Sequence, residues 1–209
     1  MYVPAHFRED SVPVLHDAIR RIAVGTLVTL GSEGMEASHI PMLVDAGPAP
    51  YGTLRGHVAR SNPQWKRAQP GAAALVTFLG PNAYVTPSWF PSKRETGKVV
   101  PTWNYIAIHA SGPVRFFDDK ASLLDIVTRL TELHEGQRAR PWAVTDAPPE
   151  HIEALLKAIV GFELPIARLE GKWKLSQNKS DADIAGVRDG HRTAAGEDHA
   201  ALARAMSDL

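Results

Sequence analysis

The densest polar run in the chain is Leu54-Arg55-Gly56-His57-Val58-Ala59-Arg60-Ser61-Asn62-Pro63-Gln64-Trp65. Arg55 and His57 are two residues apart, so on a strand they share one face. Asn62-Pro63 then reads as the start of a helix. Arg60, Ser61 and the free amides of that helix start converge where strand gives way to helix. A guanidinium, a hydroxyl and backbone N–H groups aimed at one place make an anion site. An ordinary charged surface turn has the same composition, and this run alone does not separate the two readings.

Three other segments carry polar groups at suggestive spacing. In Ala37-Ser38-His39-Ile40-Pro41-Met42-Leu43-Val44, Ser38 and His39 are strand neighbours and face opposite ways. The plain alternative is one satisfied core residue and one solvated residue. Residues 84–105 hold two of the five tryptophans, Trp89 and Trp103, on either side of Ser92-Lys93-Arg94-Glu95-Thr96-Gly97-Lys98. Their flat faces, with Thr86, Ser88, Thr102 and Asn104 close by, suit a planar heteroaromatic ligand that needs apolar walls and polar edges. The same tryptophans also read as core or dimer-interface packing. In Lys172-Trp173-Lys174-Leu175-Ser176-Gln177-Asn178-Lys179-Ser180, Lys172 and Lys174 share a strand face, and Gln177 and Asn178 follow at its end. A solvated basic turn is the alternative there.

The elements that position these groups follow from periodicity. Asp10 or Ser11 caps a helix with Pro13 in its first turn and Leu15, Ala18, Ile19 and Ile22 at helical spacing. Strands are expected at 25–30, 37–45, 51–58, 72–79 and 83–86, then at 104–117 with a break at Gly112-Pro113. Residues 31–34 make the first hairpin turn. Leu123, Leu124, Ile126, Val127, Leu130 and Leu133 form one amphipathic helix, and Ile152, Leu155, Leu156, Ile159 and Val160 a second, closed near Gly161. Residues 162–175 read as strand, with Pro165 marking an edge or bulge. The Ala-rich 194–209 has little apolar face. Clustered short strands with few helices point to an antiparallel barrel or α+β domain rather than a βαβ array. The expected organisation is a single domain over 1–190, with a helical insertion at about 119–161 and a tail at 191–209.

Composition excludes several classes. The chain has 209 residues, no cysteine and a formal net charge of zero. Disulfides, thiolate nucleophiles and Cys-ligated zinc are ruled out. No global charge steers it to nucleic acid, and no apolar run reaches bilayer length. The opening MYVPAHFRED shows no signal-peptide pattern, so the expectation is a cytoplasmic protein with no membrane partner. No G-x-G-x-x-G follows a strand and no P-loop is present.

Taken in order, MYVPAHF, ASHIPMLVD, LRGHVARSNPQW, YVTPSWFPSK, VPTWNY and KLSQNKS resemble the PaiB-type family, FMN-binding proteins described as negative transcriptional regulators. The resemblance runs to about residue 190. It implies the FMN-binding split barrel, an antiparallel Greek-key barrel with peripheral helices, and a homodimer that holds FMN at its interface. It implies that Arg60 and Ser61, with His57 assisting and Arg55 beside it, cradle the phosphate. It also implies that Ser38 and His39 reach the polar edge of the isoalloxazine. Thr102, Trp103 and Asn104 then line the ring, and Lys174, Gln177 and Asn178 close the site.

The resemblance brings a regulator label. The sequence shows no helix-turn-helix, because the helices around 119–134 and 149–161 are joined by a long Pro-containing loop. A DNA or protein partner is therefore left unidentified. An FMN-dependent oxidoreductase or flavin reductase using NAD(P)H is the alternative, with His39 and His57 as its nearest proton-transfer groups. Haem binding or degradation, with His39, His57 or His109 as axial ligand, is a weaker one, because the polar run at 57–61 suits a phosphate.

Overall fold

The computed structural model describes residues 1–69 and 71–208. In chain order its elements are β1 (Arg8–Glu9), α1 (Val12–Ile22), β2 (Val24–Gly31), β3 (Gly34–Pro41), β4 (Leu43–Asp45), β5 (Thr53–Ala59) and α2 (Gln64–Arg67). Then come β6 (Ala73–Val85), α3 (Ser92–Thr96), β7 (Thr102–Pro113), β8 (Arg115–Phe117), α4 (Lys120–Glu135) and α5 (Pro149–Lys157). The chain finishes with β9 (Ile159–Pro165), β10 (Arg168–Lys174), α6 (Asp181–Thr193) and α7 (Glu197–Ala205). This is the expected β-rich α+β class, with antiparallel sheets and peripheral helices. Two compact units are formed, one from Met1–Leu15, Leu79–Ile108 and Glu170 onward, the other from His16–Phe78 and His109–Leu169.

The second unit begins with the expected hairpin. β2 and β3 pair antiparallel from Val24↔Pro41 to Gly31↔Gly34, and Leu27 of β2 also faces Val76 of β6. A second sheet runs β4-β5-β9-β8. Its central pair, β5 and β9, is in register from Thr53↔Pro165 to Ala59↔Ile159. Alternation sorts β5 cleanly: Leu54, Gly56 and Val58 are buried, while Arg55 and His57 are half-buried on the other face. Gly56 is required here, because a Cβ would lie 2.8 Å from the Phe162 ring. Asp119 caps α4 by accepting the Ser122 amide, and Ile126 and Leu130 pack on Leu43.

Local differences from the periodicity have physical reasons. The strands expected at 72–79 and 83–86 are one strand, β6. Buried positions continue through Ala83 and Val85, and Asn82 donates to the Gly80 carbonyl across the Pro81 step. The helix expected to reach Gly161 ends at Lys157, because Ile159 and Val160 pair with β5. The single strand expected at 162–175 is two, β9 and β10.

In the first unit β1 pairs antiparallel with β10, Arg8 facing Lys172. A core of Ala83, Val85, Phe90, Leu175, Val187, Leu202 and Met206 is closed by α6 and α7. The Ala-rich end thus does have an apolar stripe, since Leu202 and Met206 are one turn apart. The Ser180 hydroxyl accepts the Asp183 amide and caps α6, while Ser92 donates to the Asp183 carboxylate.

Buried Gln64 ties the second unit's hairpin to the turn after β5. Its Nε2 donates toward Leu27 O at 3.1 Å, Thr29 Oγ1 at 3.1 Å and Glu36 O at 3.2 Å. Gln64→Leu strands these acceptors and is expected to lower stability by about 2 kcal/mol, read as a lower urea midpoint. An unchanged midpoint contradicts this role.

Candidate functional site

The residues singled out by sequence fall in both units. In the second unit, Ser38 and His39 face opposite ways as expected. The Ser38 hydroxyl accepts from Asn62 Nδ2 at 2.8 Å, and His39 Nδ1 bonds Thr26 Oγ1 at 2.9 Å on the exposed side of the hairpin. Arg55 does share a face with His57. It sits in a cross-strand row, opposite Glu163, which is itself opposite Arg115. Arg55 lies 3.3 Å from Asp45 and 3.8 Å from Glu163, and Arg115 pairs with Glu163 at 2.8 Å. Asp45 is also held by Arg129 from α4. His57 Nδ1 is buried with no hydrogen-bond partner. Burial pulls its pKa below the ordinary imidazole value, so the ring is neutral at pH 7 and holds an unused polar atom.

Arg60 is heavily engaged. Nε donates to Lys157 O at 2.7 Å, Nη2 to Ile159 O at 3.1 Å and Nη1 to Asp118 at 3.2 Å. One N–H on each terminal nitrogen remains. The guanidinium borders a cleft of about 310 Å³ that includes Lys120, Leu123, Glu153 and Lys157. Ser61 is exposed beside it. The helix start expected at Asn62-Pro63 is present, but α2 has only four residues, and Asn62 Oδ1 already accepts the Gln64 amide at 3.0 Å. A macrodipole needs several aligned turns, so this turn offers an anion side chains rather than a helix N-terminus.

In the first unit, Lys174 brings Thr102 and Trp103 together. Its Nζ donates to Thr102 Oγ1 at 2.7 Å and to the Trp103 carbonyl. Burial, and then the charges of Lys172 and Lys179, pull its pKa below the usual lysine value. Trp103 is 51% exposed, its ring edge-on to Tyr84 at 6.1 Å. Asn104 differs from the ring-lining residue expected. It is fully buried, accepting from Ser176 Oγ at 3.0 Å and donating toward His191 Nε2 at 3.3 Å. Gln177 braces its own turn, accepting the Leu175 amide and donating to Trp173 O. Asn178 is exposed.

Sequence reasoning did not assign a role to Lys172 or Tyr105. The Lys172 and Lys174 ammonium groups lie 5.3 and 5.9 Å from the Tyr105 ring, and Lys172 also donates to Tyr2 O at 3.2 Å. The signal for them was the Lys-x-Lys spacing, which puts both cations on one strand face.

Taken unit by unit, the first offers groups that suit a planar heteroaromatic, and the second offers groups that suit an anion. Trp103 offers an exposed aromatic face beside the hydroxyl and ammonium of Thr102 and Lys174. Arg60 and Ser61 keep donors free, and the His57 nitrogen is an orphaned buried polar atom waiting for a partner.

Comparison with known proteins agrees. Residues 1–168 match the family model "Putative FMN-binding domain". The chain is 33% identical to the Bacillus subtilis protein named "Protease synthase and sporulation protein PAI 2", over 90% of this chain and 87% of that one. It is 36% identical to an uncharacterized protein of Emericella nidulans, covering 91% and 90% of the two. Among solved structures, the FAD and heme binding protein of Mycobacterium smegmatis superposes with TM-score 0.56 at 20% identity, over 85% of this chain and 78% of that one. A conserved hypothetical protein of Mycobacterium tuberculosis superposes at 0.58 and 12% identity, over 85% and 92%. These two show a shared fold. The chain belongs to the PaiB-type family of FMN-binding proteins, and FMN is its cofactor.

Proposed function

We propose that this protein is a cytoplasmic homodimer in which bound FMN controls negative regulation of transcription. The observation that carries the flavin part is the pairing of exposed Trp103 with Lys174, whose ammonium reaches Thr102 and the Trp103 carbonyl. In this reading the Trp103 face buries one side of the ring system, and Thr102 and Lys174 address its polar edge. Arg60 and Ser61 contact the phosphate, and Arg55 adds positive charge on the His57 face. Ser38 and His39 offer a hydroxyl and a ring nitrogen. Asn104 and Gln177 act through the strand end and turn they brace, and Asn178 borders that turn. Bound FMN supplies a reversible electron acceptor; the protein's part is to hold, orient and shield it.

The dimer is supported by an exposed apolar stripe on β2 and β3. Val24, Leu30 and Met35 are 49%, 46% and 82% exposed, and Leu30 faces Met35 directly. Large exposed apolar groups gathered on one sheet face mark a partner surface. Among the described residues no helix is long and apolar enough to cross a membrane. Support for regulation comes from the Bacillus relative's name, which ties that protein to protease synthesis and sporulation.

A second reading, an NAD(P)H-dependent flavin oxidoreductase, is favoured by His57, a neutral buried imidazole with an unused nitrogen able to hold a proton. Two assays separate the readings. Gel retardation of the DNA upstream of the protein's own gene, with and without FMN, supports regulation if the shift depends on flavin. Sustained anaerobic bleaching of flavin by NADPH, with no DNA shift in either state, moves the function to the oxidoreductase.

Trp103→Ala is expected to weaken FMN and riboflavin alike, by up to roughly tenfold, in fluorescence titration. Unchanged riboflavin affinity returns Trp103 to surface packing. Arg60→Ala is expected to lower the Tm, because two carbonyls and Asp118 lose their donor, and to weaken FMN more than riboflavin. Equal loss of both ligands makes Arg60 a purely structural residue.

A further inference from the structure

The C-terminal helices lie beyond the matched family region, yet they reach the buried side of the Trp103–Asn104 strand end. The link is one chain of side chains in the first unit. Ser176 Oγ donates to Asn104 Oδ1 at 3.0 Å, Asn104 Nδ2 faces His191 Nε2 at 3.3 Å, and His191 Nδ1 faces His199 Nδ1 at 2.8 Å. Asn104 and His191 are completely buried. Trp89 stands edge-on to both imidazoles, with centroids 5.0 and 6.1 Å away. A Cβ on Gly190 would sit 2.2 Å from that indole, so α6 rests directly on the ring.

Proton counting limits the charge of this chain to one extra proton. With Asn104 donating, His191 carries its hydrogen on Nδ1 and gives it to His199, and each gap holds one hydrogen. Reversing the Asn104 amide reverses the donors and lets the pair accept one extra proton. A second extra proton would put two hydrogens between the facing Nδ1 atoms. Among the described residues no carboxylate hydrogen-bonds or pairs with His191: β7 presents Asn104, the turn at Pro87–Trp89 presents Trp89, and α7 presents His199. Met206 shares the Asn104 amide. Nearby charges are engaged elsewhere. Asp183, about two turns earlier on α6, is held by Ser92, with Lys179 acting on it; Asp189 pairs with Arg192. Glu197 and Asp198, in the first turn of α7, are exposed.

We propose that α6 and α7 form a proton-released clasp on the Trp103–Asn104 strand end, docked while the imidazole pair holds at most one extra proton and loosened when a second is bound. The linkage has a definite sign. Burial, with the His199 charge beside it, lowers the His191 pKa from 6.5 to about 4. A released His191 returns to the ordinary value and takes up a proton that the docked one refuses. Docking is therefore at full strength above pH 6.5 and weakens tenfold per unit below it. The His191 contribution reaches roughly 150-fold at pH 4 and levels off at roughly 300-fold at lower pH. Release bares the core residues Val85, Phe90 and Leu175, which Val187, Leu202 and Met206 cover when docked. Any effect on flavin rests on the role proposed above for Thr102–Asn104.

Amide hydrogen exchange on the full-length protein without FMN tests the clasp separately from the flavin reading. Rates are corrected for intrinsic pH dependence and followed from pH 7 to 4.5. Peptides from 181–205 are expected to lose protection about tenfold per unit below pH 6.5, while 53–59 and 159–165 keep theirs. In His191→Gln the slope should flatten. Protection of 181–205 that ignores pH, or falls in step with 53–59, overturns the proposal, as does an unchanged slope in the variant. If His191→Gln does not dock at pH 7, NMR titration of the wild-type imidazoles decides. A His191 ring still neutral near pH 5 supports the clasp, and an ordinary midpoint near 6.5 overturns it.

Discussion

The antiparallel pairing of β5 with β9 is the constraint on which the second unit depends. Seven consecutive residues of each strand are in register, and Phe162 lies where a side chain at position 56 would be. That contact buries Leu54 and Val58 on one face and turns Arg55 and His57 to the other. A one-residue slip would exchange the faces, burying a guanidinium and an imidazole against Phe162. The same register sets Arg55 opposite Glu163, which Arg115 shares from β8, so the positive charge nearest His57 is partly neutralised. His57 is left desolvated and unpartnered.

Cations in this protein brace the chain before they meet a ligand. Arg60 ties two carbonyls and Asp118; Lys174 ties Thr102 to the Trp103 backbone. Such ties preorganise a site, because the side chain's conformational entropy is already lost when ligand arrives. Arg60 and Lys174 are thus part of the fold whatever their part in binding. Exposed pairs such as Lys120 with Glu153 contribute little by comparison.

Much of this was legible in the sequence. Period-2 alternation located β2, β3 and β5, and helical spacing located α4. The opposed faces of Ser38 and His39, and the shared face of Arg55 and His57, followed from the same alternation. What was not legible was long-range. Nothing local says that the Arg60 guanidinium turns toward Lys157 O and Ile159 O, about a hundred residues on, or that Asn104 points inward to Ser176 and His191. Gly161 looked like a helix stop because local spacing carries no information on strand pairing; opposite His57 it is a sheet position against the Phe117 ring. The end of the chain looked featureless because Leu202 and Met206 are few. They matter only against Val85, Phe90 and Leu175.

The most direct test of the flavin assignment is equilibrium dialysis of the purified protein against FMN, followed by its absorbance and flavin fluorescence. Retained flavin bands with quenched emission, at one FMN per chain, are the predicted result. A protein that returns from dialysis without flavin, at concentrations where its folded state is intact, contradicts the account.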